Sequence, residues 1–436
     1  MSALSVLAAA REAGDRAALI FGDTIWTWSR LASEVDSEIE VLTQSRMPGD
    51  ADGRRQQVAL EAVAAPATIV RIFALLEIGI PFVLLHHGLT QHERERQLNA
   101  LQPCVEGDRS DSDLMAVLFT SGSSGSPRAV ELSRGAFQAS AAASAARLGW
   151  QDGDRWLCCL PIAHVGGLSI LTRCLIARRT IVLVPRFDPA AVVEAIDRHA
   201  VTLTSFVPAM LARLLRHEPA WMPPPSLRAV LLGGSSAPKT MWEEAERRGI
   251  PLRATYGLTE TCSQVATAKA SAPRDLVPLD GVDVRIRHGC IEVGGSYGYS
   301  CTLTSDGYLP TGDLGRLRPD GVLEVLGRAD DLIITGGENV MPAEVEAELE
   351  THPKILRAVV FGQPDPEWGE IVVAALVADG AQPDSAALRD WCNDRLASFR
   401  RPRLIAWLDT IPETATGKID RNAAIAAAMA AKLMDL

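Results

Sequence analysis

The sequence predicts an α/β protein with a small α+β unit after it, on three observations. Between residues 180 and 250, apolar runs of strand length (180–185, 202–207, 228–232) alternate with helical stretches (189–199, 208–217, 239–248). That spacing is the mark of βαβ units on a parallel sheet. From Val282 the texture changes to short alternating strands broken by Gly and Asp, VDVRIRHGCIEVGG and GVLEVLG, which suits antiparallel or barrel-like structure. Beyond Gly327 come a Gly–Gly turn, a helix opened by Pro342, two strands, a helix near 385–396, another strand and a final loop and helix. About 105 residues suffice for a small domain. The expected division is an N-terminal domain over 1–327, a hinge at 328–331 and a C-terminal domain over 332–436.

The earlier elements follow the same logic. Residues 69–85 are the most membrane-like stretch, but Arg71, Glu77, Gly79 and Pro81 interrupt it, so it reads as a buried helix and strand. Residues 47–55, rich in Gly, Asp and Arg, read as a surface loop. The run 113–120 is a strand, followed by a Ser/Gly/Pro loop, after which Ser133 caps a helix ending at Gly149. With 47% hydrophobic residues in 436, a large core is expected and global disorder is excluded. The net charge of −11, with no basic block, argues against a nucleic-acid partner. Eight cysteines without CxxC or zinc spacing read as reduced, mostly buried thiols of a cytoplasmic protein. The N-terminus lacks a basic region before its short apolar run, so neither a signal peptide nor an integral span is expected.

No two glycines stand two positions apart, which removes the dinucleotide fingerprint, and Gly417–Lys418 is followed by Ile419 where a Walker loop needs Ser or Thr. Four other motifs carry chemistry. The first is Thr120-Ser-Gly-Ser-Ser-Gly-Ser-Pro-Arg128, whose glycines and hydroxyls could converge on a polyphosphate between strand and helix. The same letters also suit a flexible loop. The second, Ala254-Thr-Tyr-Gly-Leu-Thr-Glu260, offers a ring for stacking and hard oxygens for Mg²⁺, or is an ordinary strand-end turn. The third pairs Tyr308-Leu-Pro-Thr-Gly-Asp313 with Arg328. There the Asp could accept ribose hydroxyls beside a fixed guanidinium, and surface turns are the plain alternative. In the fourth, Glu413-Thr-Ala-Thr-Gly-Lys418, one of only five lysines against 38 arginines stands on a Gly-bearing loop. A compact ammonium reaches a phosphoryl oxygen where a planar guanidinium would not fit.

In this order, the four motifs resemble the adenylate-forming superfamily of acyl-CoA synthetases, peptide-synthetase adenylation domains and luciferases, from Leu114 to Arg421. The resemblance implies a large N-terminal domain of two α/β subdomains plus a β-barrel, with a small mobile α+β C-terminal domain. It makes Ser121, Gly122, Ser123, Ser124, Gly125 and Arg128 the phosphate loop after Thr120. It sets Gly233, Gly234, Ser235, Tyr256 and Gly257 around adenine and acyl group, and Thr259 at the phosphate. By the same resemblance Glu260 holds Mg²⁺, Asp313 and Arg328 hold ribose, Asp330 is the hinge, and Lys418 bridges phosphate and incoming carboxylate. Within the superfamily, LPIAHVGGLSI, LLGGSSAPK, ITGGENV and the short N-terminal region are similar to the o-succinylbenzoate–CoA ligases of menaquinone synthesis. His164 then lies at the acyl site, or is a satisfied core histidine. Arg173 pairs with the ring carboxylate of the substrate, or with a protein carboxylate. The loop departs from the family pattern at Arg128 and Ala129, where Lys and Gly are usual.

The resemblance implies ATP, Mg²⁺ and coenzyme A as cofactors and cosubstrates, and a homodimer as a common arrangement. A C-terminal domain pivoting at Asp330 would exchange Lys418 for the Gly336, Gly337, Glu338 loop, which is assigned to coenzyme A. Aryl or medium-chain fatty acids are alternative substrates on the same framework. Two readings of another kind remain. Gly294-Gly-Ser-Tyr-Gly298 formally matches a serine-hydrolase elbow at Ser296, although no helix pattern follows it. A non-catalytic nucleotide-binding scaffold would have little use for Glu260, Asp313, Arg328 and Lys418 together.

Overall fold

A computed structural model describes residues 3–44, 57–101, 113–121, 127–295, 303–414 and 418–436. Its largest sheet has eight strands in the order Ser263–Thr267, Leu252–Leu258, Ala229–Leu232, Leu203–Phe206, Arg155–Cys158, Thr180–Leu183, Ala17–Phe21 and Thr24–Thr27. The pairings from Leu252–Leu258 through to Ala17–Phe21 are parallel, and both edge strands are antiparallel. Ala229–Leu232 and Thr180–Leu183 are buried throughout. That explains why they read as continuous apolar runs rather than alternating ones. The intervening helices start where local chemistry dictates. Asp188 accepts from the Ala191 N–H at 3.0 Å with Pro189 at the first helical position, and Pro208 opens the next helix.

A second sheet, Val58–Glu61, Phe82–Leu85, Leu114–Ser121 and Pro127–Ser133, shares one apolar core with a face of the first. Here the structure corrects the sequence reading. The Ser/Gly loop was expected to join a strand to a helix, but Pro127–Ser133 is an antiparallel strand that pairs Thr120 with Arg128 and Phe119 with Ala129. The strands on either side of the loop therefore run antiparallel to each other. The helix follows one strand later, over Arg134–Leu148, with Ser133 accepting from the Ala136 N–H at 3.0 Å and Gly149 at its end. Ala129 sits in extended backbone with no need of positive φ, so alanine is accommodated where the family pattern has glycine.

Four antiparallel strands, Val282–Arg287, Cys290–Gly295, Leu309–Leu317 and Leu323–Arg328, form the third sheet. His288 and Gly289, both at positive φ, make the two-residue turn of its first hairpin. Residues 296–302, including Ser296, lie outside the described residues, and the strand before them belongs to this antiparallel sheet. A 3₁₀ turn, Ala329–Asp331, leads into a six-stranded sheet built from residues 333–435. Alternate residues of Ile355–Asp365 and Gly369–Ala378 face opposite sides. Val360, Val372 and Ala374 pack with Val345, Leu349, Leu388 and Cys392 of two helices. Val359, Val373 and Ala375 pack with Ala424 and Ala428 of a third.

Among the described residues, six cysteines are free thiols and five of them are buried. No described helix is long and apolar enough to cross a membrane.

Candidate active site

The cleft lies where three of the sheets approach the C-terminal one, and has a volume of about 2470 Å³. Most residues singled out from the sequence line it: Thr120, Arg128, Gly234, Ser235, Tyr256, Gly257, Thr259, Glu260, Asp313, Arg328, Asp330 and Lys418. Gly122, Ser123, Ser124 and Gly125 lie outside the described residues, as does the side chain of Ser121. The hairpin strands that flank them deliver Thr120 and Arg128 to the cleft wall.

Lys418 comes from the C-terminal sheet's side yet reaches the large sheet. A Cβ built on Gly234 would lie 3.0 Å from Lys418 Cε and 3.7 Å from its Nζ. Gly234 has φ +89, so both the backbone turn and the close approach favour glycine there. The lysine is open to the cleft's water but has protein on most sides. Loss of hydration pushes its pKa below the ordinary lysine value, while Asp313 and Glu260 pull the other way.

Asp313 is buried and held from two directions. The Tyr256 hydroxyl donates to Oδ2 at 2.6 Å, and Arg328 Nη1 donates to Oδ1 at 3.1 Å and to the Thr311 carbonyl at 2.9 Å. Gly312 has φ +73, and a Cβ there would meet Arg328 Nη2 at 2.8 Å. Burial, then the charge of Asp313, pushes the Tyr256 phenol well up, so it is a fixed donor. The ring assigned to stacking is thus also a brace for the carboxylate, a role that spacing did not reveal.

Gly257 permits the tightest backbone approach in the site. A Cβ there would fall 1.8 Å from the Ser263 carbonyl oxygen, where Leu252–Leu258 turns back into Ser263–Thr267. A Cβ on Gly233 would fall 2.6 Å from the Thr255 carbonyl oxygen. Thr261, which sequence reasoning missed, stitches this turn. Its hydroxyl bridges the N–H and carbonyl of Leu258 and lies 3.1 Å from the Ser263 carbonyl.

His164 occupies the N-cap position of the helix Val165–Ala177 without a side-chain cap hydrogen bond. It does not line the main cleft but lies close enough to Lys418 to feel its charge. Burial first, then His86 and Lys418, pushes its pKa down to about 4. Its ring is 5.7 Å from that of His86, which stacks on His87 at 4.5 Å. Arg173, on the same helix, is 4% exposed. It donates to the hydroxyls of Ser140 at 3.4 Å and Ser263 at 3.2 Å, and lies over the Trp156 ring at 5.7 Å.

Gly336, Gly337 and Glu338 stand apart from the cleft, in the exposed hairpin between Ile333–Thr335 and Glu338–Val340. A Cβ on Gly336 would meet the Trp368 ring at 2.8 Å. Among the described residues, no three His, Cys, Asp or Glu side chains gather into a metal cage. Glu260, on the cleft wall, offers a hard carboxylate oxygen of the kind Mg²⁺ takes.

A buried, braced carboxylate, hydroxyls on the cleft wall and a lysine delivered from a separate sheet converge on one cleft, a donor set that suits nucleotide-dependent activation of an acid. The chain belongs to the AMP-binding enzyme family: the family's AMP-binding enzyme model matches residues 102–288, and its C-terminal domain model matches 344–418. It is 33% identical to the 2-succinylbenzoate–CoA ligase of Bacillus pumilus (strain SAFR-032), over 94% of each chain. Among solved structures it is similar to o-succinylbenzoate CoA synthetase (MenE) of Bacillus subtilis. With ATP and magnesium ion bound, that enzyme gives a TM-score of 0.84 at 31% identity, over 96% of this chain and 98% of that one. With the acyl-adenylate intermediate OSB-AMP, the TM-score is 0.84 at 32% identity, over 96% of each. A double mutant of the same enzyme bound with the product analogue OSB-NCoA gives only 0.68, at 31% identity over 99% of each.

Proposed function

We propose that this protein is an ATP-dependent acid–CoA ligase that converts 2-succinylbenzoate to 2-succinylbenzoyl-CoA, the step found in menaquinone (vitamin K2) biosynthesis. The observation that carries the ligase reading is the Lys418 ammonium lying against Gly234 in the field of Asp313 and Glu260. The likeness to the Bacillus enzymes over nearly the whole chain supports the substrate.

In the first step the substrate carboxylate attacks the α-phosphorus of ATP, the bond to the bridging oxygen breaks, and pyrophosphate leaves. Asp313, fixed by Tyr256 and Arg328, accepts the ribose hydroxyls. Gly233, Gly234, Ser235 and Gly257 form the walls around adenine and acyl group, and the Ser/Gly segment after Thr120 serves as the phosphate loop. Lys418 neutralises charge that builds between carboxylate and α-phosphate, the kind of preorganised electrostatics that dominates such steps. Glu260 and Thr259 would hold Mg²⁺, which when bound supplies charge neutralisation at the phosphates. Arg173 would receive the ring carboxylate, the one that is not activated, with neutral His164 beside the reacting acid.

In the second step the thiol of coenzyme A attacks the acyl carbon and AMP leaves. The proposed domain division is 1–327 and 332–436 about a hinge at Asp330, with the antiparallel strands before it read as the family's barrel. Pivoting there would withdraw Lys418 and bring Gly336, Gly337 and Glu338 to the thiol path. The weaker overall likeness to the product-analogue complex than to the adenylate complex supports two such orientations. Buried free thiols fit a cytoplasmic enzyme, and a homodimer is the arrangement to look for by sedimentation.

Pyrophosphate release measured with 2-succinylbenzoate, benzoates and medium-chain fatty acids, with and without coenzyme A, tests this reading. The expected result is release with 2-succinylbenzoate and thioester formation only when the thiol is present. Activity confined to fatty acids would remove the substrate assignment and keep the ligase.

A further inference from the structure

Ser140 lies within the helix Arg134–Leu148 and is 2% exposed. Its hydroxyl donates to the carbonyl oxygen of Cys262 at 2.8 Å, 122 positions further along the chain. The same hydroxyl accepts from Arg173 Nη2 at 3.4 Å, and that nitrogen also reaches Ser263 Oγ at 3.2 Å. A single hydroxyl therefore joins a helix, a second helix and a turn that nothing in sequence proximity brings together.

The turn it grips is strained. Cys262 and Ser263 are adjacent non-glycine residues with φ of +53 and +95, a conformation that persists only where surrounding contacts impose it. Cys262 closes the turn by donating its N–H to the Thr259 carbonyl at 3.0 Å. What holds the Cys262 carbonyl thus also sets the aim of Thr259 and Glu260, which face the cleft.

We infer that Ser140 is a positioning residue whose hydroxyl couples the acid-binding guanidinium of Arg173 to the strained turn bearing Thr259 and Glu260. The acyl pocket and the phosphate-facing groups are then set by one linkage. This rests on the reading of Arg173 and Glu260 given above. Removing the hydroxyl frees the Cys262 carbonyl and one contact of Arg173 together, so both substrate affinity and the chemical step should move.

The test is ATP–pyrophosphate exchange by Ser140→Ala, using whichever acid the wild-type enzyme activates best. The expected outcome is a kcat lower by about 10-fold or more and a raised KM for the acid, the size of effect expected from one buried hydrogen bond. The turnover of a saturating, supplied acyl-adenylate with coenzyme A should stay within about two-fold, since that step does not need the phosphate-facing groups. Ser140→Cys, similar in shape with a weaker donor, should fall between the two. If Ser140→Ala does not fold, Ser140→Cys decides by the same pair of readouts. A raised acid KM with unchanged kcat would reduce Ser140 to a support for Arg173 and overturn the coupling. Unchanged values for both would overturn it outright. The underlying readings fail separately. Wild-type silence toward 2-succinylbenzoate would remove the substrate. Equal wild-type use of 4-oxo-4-phenylbutanoate, which lacks the ring carboxylate, would remove the Arg173 pairing. Either way, the ratio of variant to wild type stays measurable.

Discussion

Lys418 bears most of the proposed chemistry, and its surroundings make a pH dependence predictable. Burial depresses its pKa, so the proton it needs is lost earlier on the alkaline side than from a free lysine. Adenylation by the free enzyme should therefore decline as pH rises through a value below the ordinary lysine range, near 10.4. Lys418→Arg, which does not titrate in this range, should lose that alkaline limb in kcat/KM for pyrophosphate exchange while running slower throughout. Lys418→Ala should cut exchange by about 100-fold or more, in line with removal of a charged transition-state partner, and still turn over supplied acyl-adenylate. Equal loss in both half-reactions would contradict a role confined to adenylation. The sequence pointed to this residue through scarcity: in a chain that uses arginine for its surface cations, a lysine beside glycine stands out.

Elements explain which parts of the site could be read in advance. The strand-ending motif at 254–260 and the Asp313 turn were legible because glycines there mark real backbone demands, as the 1.8 Å approach at Gly257 shows. Gly257→Ala should force the Leu252–Leu258 and Ser263–Thr267 pair apart, since the obstacle is main chain rather than a movable side chain. A loss of about 3 kcal/mol or more is expected, read as a lower urea midpoint together with lost nucleotide binding. Retained stability and binding would show that the turn can relax. The hairpin strand Pro127–Ser133 was not legible, because proline and arginine at its start hid a short alternating run behind loop letters. Ser140, Thr261 and Ser263 were invisible for a different reason: their partners lie far away in sequence or depend on a strained bend, and no periodicity encodes either. The Tyr256 hydroxyl bond to Asp313 joins two motifs that had been read separately.

At the scale of the molecule, the site is shared between the sheets that precede the turn Ala329–Asp331 and the sheet that follows it. That makes the proposed pivot testable as a separation of half-reactions. Asp330→Pro fits the φ of a 3₁₀ turn and stiffens it. It should leave pyrophosphate exchange within about three-fold of wild type but slow thioester formation from supplied acyl-adenylate by about 100-fold, as expected when a hinge is locked in one state. Parallel losses would mean that no reorientation separates the steps. The pattern of burial in the last sheet adds a consequence for how much such a movement would cost. Helices of its own cover that sheet on both sides. Its oily interior would travel sealed, so a swing need not lay that interior open. Turnover could then repeat at little hydrophobic expense, without the sticky half-open forms that invite clumping.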